Sequence, residues 1–168
     1  MTLHTIHNKT HEKILRTKAV PFDFTKYTKP EIRALIKEMR QKMIEWHGIG
    51  LAANQIGMNI ALFVARNDDK FYAIFNPEIT DRSGDEVLLE EGCLSVPGLY
   101  GTTPRYEKVT LVGQDQNGKK IKIKAWGLLA HIFQHETDHR AGKLYIDTAT
   151  RTYTAAESNR LKKLKIEN

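Results

Sequence analysis

The 168-residue chain has one cysteine, Cys93, so it cannot close a disulfide within itself, and an unpaired thiol suits a reducing compartment. No stretch approaches the roughly 18 consecutive apolar residues that a membrane-spanning helix needs. The opening MTLHTIHNKTHEKILR has no apolar run behind a basic cluster and no small-residue cleavage site. The expectation is a protein that stays where it is made, in the cytoplasm and off the membrane. Internal repeats, low-complexity tracts and long Gly/Ser linkers are also missing, which leaves one unit over 1–168 with a loosely held tail at each end. Its 40% apolar and 27% charged residues are ordinary for a soluble domain, long enough to bury about two-thirds of its unfolded surface. The net charge of +6 fits a phosphate-rich partner and a well-solvated surface equally, so charge alone selects neither.

The chemistry concentrates in GLLAHIFQHETDHRAGKLYID, from Gly127 to Asp147, which holds His135-Glu136-Thr137-Asp138-His139, a complete H-E-x-x-H pattern. On a helix of about 3.6 residues per turn, histidines four apart lie about 40° apart around the axis and one turn apart along it, so both rings can reach one divalent metal. Glu136, beside the first ligand, is placed to take a proton from a metal-bound water and hand it to a leaving group. Leu128, Leu129, Ile132, His135 and His139 share a helical face, and Gly142 stands where the helix would end. The pentapeptide alone also fits two histidines that merely satisfy a core.

Elsewhere, Thr28-Lys29-Pro30-Glu31 has the form of a capping box with proline in the first turn, and an irregular opening precedes it. Ile32, Leu35, Ile36, Met39, Met43 and Trp46 follow at helical spacing, which predicts one amphipathic helix lying on a core. Gly48 to Gln55, GIGLAANQ, has few side chains to obstruct a ligand or a neighbouring strand, and Gln55 can donate its amide to a carbonyl oxygen or cap a turn. Residues 60–66 and 71–76 read as a hairpin around Asn67, Asp68 and Asp69, with Pro77 ending the second strand. Residues 86–90 form a further strand that delivers Cys93, and Pro97, Gly98 and Gly101 mark irregular backbone beyond it. Residues 108–113 and 120–125 alternate around Asn117-Gly118, a hairpin signal, and run into the H-E-x-x-H helix. Thr154-x-x-Glu157 starts a last helix, so that about 154–168 forms a basic end with Arg160, Lys162, Lys163 and Lys165.

Two histidines leave a metal short of a third protein ligand. A third histidine in the extended pattern is excluded because position 145 is tyrosine, although Gly142 matches its glycine. Glu157 offers a two-His, one-Glu site; Cys93 offers a two-His, one-Cys site with a corner free for water. Both stay open on residue chemistry. Three functions stay open with them: a hydrolase using Cys93, a general metallopeptidase using Glu157, and a metal-holding module that uses its basic end on RNA or another acidic partner. The last leaves Glu136 and Gln55 without a purpose.

Three motifs in one order, Gly48-Ile49-Gly50-Leu51-Ala52-Ala53-Asn54-Gln55, Glu91-Gly92-Cys93-Leu94-Ser95 and Gln134-His135-Glu136-Thr137-Asp138-His139, resemble the peptide deformylases. Those metallohydrolases remove the formyl group from the N-terminal methionine of newly made proteins. The resemblance implies an α+β fold in which antiparallel strands pack around a central H-E-x-x-H helix. It implies Cys93, His135 and His139 as ligands of ferrous iron, with zinc or nickel able to substitute, and Glu136 as general base toward the metal-bound water. The Gln55 amide and the Leu94 backbone N–H would stabilise the oxyanion. Ile49 and Gly50 would align an extended peptide, and Ile49, Leu128 and Ile132 would line the methionine pocket. The implied partners are formyl-Met N-termini of nascent peptides and, through the basic end, the ribosome; DNA is not among them, and a monomer is expected. His131 and Arg140 depart from the apolar residues usual in the family, and Tyr100 stands where many relatives have a peptide-contacting arginine. Arg105 is expected to pair with Glu91 and brace the cysteine loop.

Overall fold

Asn8 accepts hydrogen bonds from the backbone N–H groups of Thr10 (2.9 Å) and His11 (3.1 Å) and so starts a short helix, α1 (Lys9–Leu15), inside the segment expected to be irregular. The computed structural model describes residues 1–158 and Arg160; Lys162, Lys163 and Lys165 lie outside the described residues. The first residues are not a loose tail. His4 N–H donates to the Gln55 carbonyl at 2.7 Å and Ile6 N–H to the Ser95 carbonyl at 3.0 Å.

Thr28 and Glu31 form the anticipated capping box and open α2 (Lys29–Glu45), whose buried face is Ile32, Ile36, Met39 and Met43. A short strand β1 (Gly50–Ala52) leads through a single 3-10 turn, Ala53–Ile56, to β2 (Leu62–Asn67). Leu62 to Ala65 are all buried, because α2 covers one face of β2 and a second helix covers the other. Leu62 and Val64 join Met39, Met43 and Phe75 in one cluster, while Phe63 and Ala65 join Val109, Leu111 and Phe133 in another. The period of two along a strand sorts neighbours into these two cores.

Pro77 does not end its strand: β3 runs from Lys70 to Gly92 and includes residues 86–90. The pairing of β3 with β4 (Leu99–Gln114) shifts register between Phe75 and Glu78, so the N–H that proline lacks falls in an irregularity where the ladder does not require it. Gly101, expected in irregular backbone, lies within β4 opposite Glu91, where a side chain would meet the Tyr145 ring. Asn117-Gly118 turns the chain into β5 (Lys120–Trp126), with Asp115 Oδ1 accepting from the N–H groups of Asn117 and Lys119. The helix α3 (Gly127–Arg140) follows at once. It stops at Gly142, whose φ of +71° and contact with the Arg16 backbone leave no room for a side chain.

A last strand, β6 (Arg151–Thr154), pairs with the start of β4, and the Thr154/Glu157 capping box then begins a helical segment at 155–158. The strands order as β1-β2-β3-β4-β5 with β6 beside β4, and every ladder is antiparallel. The H-E-x-x-H helix packs on this sheet, which is the expected α+β arrangement. Gln134 fixes its height by exchanging hydrogen bonds with the Tyr106 backbone, accepting at 3.0 Å and donating at 2.9 Å. Among the described residues, no helix is long and apolar enough to cross a membrane.

Candidate metal centre

On α3 the four-residue spacing sets the rings of His135 and His139 on one face, with centroids 5.1 Å apart. Cys93 arrives from the other side, where β3 ends and the backbone turns with Val96 N–H donating to the Cys93 carbonyl at 2.9 Å. One ligand atom from each of Cys93, His135 and His139 lies within 4.8 Å of the other two. Cys93 Sγ is 3.4 Å from His139 Nε2. Glu157, the other candidate third ligand, is exposed, and its Oε2 accepts from the N–H and hydroxyl of Thr154.

These residues fit a divalent cation. His135 Nδ1 lies 2.8 Å from Glu91 Oε2, so that nitrogen donates to the carboxylate, and Nε2 is the one that would offer a lone pair to a metal. Among the described residues His139 has no such acceptor at its buried Nδ1; its turn is held instead by Asn54, whose side-chain amide donates to the His139 carbonyl at 2.8 Å. A thiolate with two imidazoles and one open corner is a donor set for iron or zinc.

Glu91 is the hub behind the candidate ligands. Arg105 donates through Nε to Oε1 (2.5 Å) and through Nη2 to Oε2 (3.0 Å), so the anticipated pair is present, and Arg105 Nη1 also reaches Asp138 Oδ2 at 2.6 Å. Burial would raise the Glu91 carboxyl, but donors from His131, His135 and Arg105 outweigh it and hold the group well below the usual carboxylate range.

Glu136 faces the cleft against Gly50, where any Cβ would collide with its carboxylate. It is 4% exposed, and its Oε2 has no hydrogen-bond partner among the described residues. Burial is the main reason its carboxyl is pushed up to about 7, with the charge of His135 opposing. A bound cation would oppose that rise as well. Gln55 is locked by accepting from Ala52 N–H at 2.8 Å and donating to Ser95 Oγ at 3.1 Å, while its amide also faces Cys93 Sγ at 3.4 Å. Leu94 sits in the turn after Cys93.

These groups open onto a cleft of about 880 Å³ whose apolar wall includes Ile49, Leu128 and Ile132. Ile49 and Leu128 are 44% and 55% exposed, large apolar side chains left facing the opening. Gly50, Gln55, Leu94, Tyr100 and His131 line the same cleft, whereas Arg140 is not among its lining residues. The roles of Asn54, Ser95, Gln134 and Asp138 were not anticipated. All four lie inside or beside the three motifs, but what each one holds depends on an element distant in sequence.

A buried carboxylate with a free oxygen, set beside three converging donors at the mouth of an apolar cleft, is equipment for metal-assisted hydrolysis, and an H-E-x-x-H helix on an antiparallel sheet places the chain among the metallohydrolases. Residues 5–155 match the family model described as polypeptide deformylase. The chain is 44% identical over 148 residues to a peptide deformylase of Symbiobacterium thermophilum, covering 86% of this chain but 66% of that protein's length. It is 41% identical over 145 residues to a peptide deformylase of Halothermothrix orenii, covering 85% and 92% of the two chains. Its fold matches the crystal structure of a Synechococcus elongatus peptide deformylase in complex with actinonin, with a TM-score of 0.81, 35% identity and coverage of 95% of this chain and 82% of that one. A probable peptide deformylase from Synechococcus phage S-SSM7 matches with a TM-score of 0.77, 35% identity and coverage of 88% and 99%. The chain belongs to the polypeptide deformylase family, and its reaction is the metal-dependent removal of the N-formyl group from nascent peptides.

Proposed function

We propose that Cys93, His135 and His139 hold the cation, that the cation is ferrous iron with zinc or nickel able to replace it, and that Glu136 is the general base of deformylation. The convergence of the three donor atoms within 4.8 Å is the observation that carries this assignment. When bound, the cation supplies Lewis-acid chemistry, lowering the pKa of a water and polarising the formyl oxygen.

Glu136 takes the proton from the attacking water on its free Oε2 and later delivers it to the nitrogen of the departing methionine amine. As the formyl carbon becomes tetrahedral its oxygen gains negative charge. The Leu94 backbone N–H and the Gln55 amide hydrogen now facing Cys93 Sγ donate to that oxygen. Gln55 is suited to this because its other contacts already fix the amide plane, so little reorganisation remains for the reaction itself. The backbone of Ile49 and Gly50 holds the peptide extended, and Ile49, Leu128 and Ile132 receive the methionine side chain. Residues 1–168 act as one catalytic domain in the cytoplasm, as a monomer, and the basic end from about 154 contacts ribosomal phosphate through Arg160, Lys162, Lys163 and Lys165.

The test is release of formate from formyl-Met-Ala-Ser by protein prepared without oxygen, with Glu136→Gln as control. Formate well above that control supports the assignment of the base; equal release from both ends it.

A further inference from the structure

His131 stands one helical turn before His135 on α3, on the same face. An apolar side chain, which the family resemblance implies there, would have nothing to offer the carboxylate in front of it. In this chain His131 Nε2 lies 2.8 Å from Glu91 Oε1, matching the 2.8 Å between His135 Nδ1 and Glu91 Oε2. Arg105 adds one donor to each oxygen, so with His135 at Oε2 the close approach of His131 to Oε1 leaves both oxygens flanked on two sides. Glu91 is only 3% exposed, and bulk water is poorly placed to replace a partner it loses.

We propose that His131 is a positioning residue: by completing the set of donors around Glu91 it fixes the carboxylate that orients His135, and so strengthens the grip of the centre on its cation. The inference rests on the ligand assignment proposed above. Without His131, one side of Oε1 is empty and the carboxylate has a freer rotation about its last side-chain bond. The His135 Nδ1–H bond then loses its fixed direction, and Nε2 spends less time aimed at the cation. Losing a direct partner of a ligating histidine typically costs about 10- to 100-fold in metal affinity. His131 acts one link further out, so the expected loss is about 3- to 10-fold.

Cobalt(II)-loaded wild type, His131→Ile, His131→Gln and Cys93→Ser would be compared by chelator competition and by the cobalt absorption bands. His131→Ile should bind cobalt about 3- to 10-fold more weakly with shifted bands, and His131→Gln, whose amide N–H can reach Oε1, should restore most of the affinity. Unchanged affinity and bands in His131→Ile, with only KM for formyl-Met-Ala-Ser altered, would make His131 a plain pocket wall and overturn the proposal. Cys93→Ser separates the two levels: full affinity in that variant sinks the ligand assignment itself, whereas lost affinity there with an unchanged His131→Ile sinks the His131 inference alone. Should His131→Ile fail to fold, the zinc-loaded wild type still decides by proton NMR. Protected imidazole N–H signals from His131 and His135 are expected beside that of the buried His139 Nδ1–H, and absence of the His131 signal refutes the role.

Discussion

Arg105→Met removes the guanidinium that holds both oxygens of Glu91. Arg105 and Glu91 are 6% and 3% exposed, so solvent screens the pair little. Breaking a buried ion pair by deleting one partner costs about 3–5 kcal/mol, because the other charge stays buried. Glu91 keeps His131 and His135, which puts the expected loss near the lower end, about 3 kcal/mol. The second arm of Arg105, to Asp138, adds little, since the Asp138 side chain is 32% exposed. In a chain of 168 residues, each kcal/mol moves the melting temperature by about 2–4 °C, so the variant should melt about 6–12 °C lower. The assay is thermal unfolding in excess chelator, where cation binding cannot add stability. Adding Glu91→Leu removes the stranded charge and should recover part of the loss. Cation affinity should nevertheless fall about 10- to 100-fold in the double variant, since His135 then has no acceptor. A cost below about 1 kcal/mol for Arg105→Met alone, or full cation affinity in the double variant, would refute the reasoning.

Gln55→Leu should lower kcat about 10²- to 10³-fold with cation content retained, measured by formate release against metal analysis. Gly50→Ala puts a methyl group into the Glu136 carboxylate, so kcat should fall by at least about 10-fold while the melting temperature barely moves; a fully active variant contradicts the proposal that Glu136 is the base. Gly142→Ala meets both a φ of +71° and the Arg16 backbone, and urea unfolding should show a loss of more than about 1 kcal/mol. Thr28→Ala should cost about 1 kcal/mol at pH 7. The Glu31 carboxyl is held below its ordinary range by hydrogen bonds from the Thr28 backbone and side chain, so its contribution is present above the unfolded-state pKa and lost as pH falls through the folded one. The gap between wild type and Thr28→Ala should therefore narrow in acid, as read by urea midpoints at stepped pH.

The features legible in the sequence are those decided within a turn or two of chain. Thr28 to Glu31 starts α2, Asn117-Gly118 turns β4 into β5, and two histidines four apart share a helix face whatever the rest of the protein does. Features that depend on pairing at a distance are less legible. Pro77 looked like a strand end because proline cannot donate to a ladder, but the register shift beside it removes that demand. The helix α1 leaves little signal in the sequence because only Leu15 of its seven residues is buried, too thin a stripe to show a period, while its start depends on the single side chain of Asn8.

The metal centre divides along the same line. His135 and His139 declare themselves by spacing, but residue chemistry leaves both Cys93 and Glu157 open as the third ligand, and the three motifs taken together favour Cys93. The groups around the candidate ligands are harder still to see, because the Glu91 carboxylate from the end of β3, a guanidinium from β4 and an imidazole from α3 meet only once the strands are in register. A ligand set can be carried by a few short motifs, whereas its orientation is a property of the assembled sheet. Chain-specific adjustment of cation affinity is therefore to be sought around Glu91, at residues such as His131 that lie outside the three motifs.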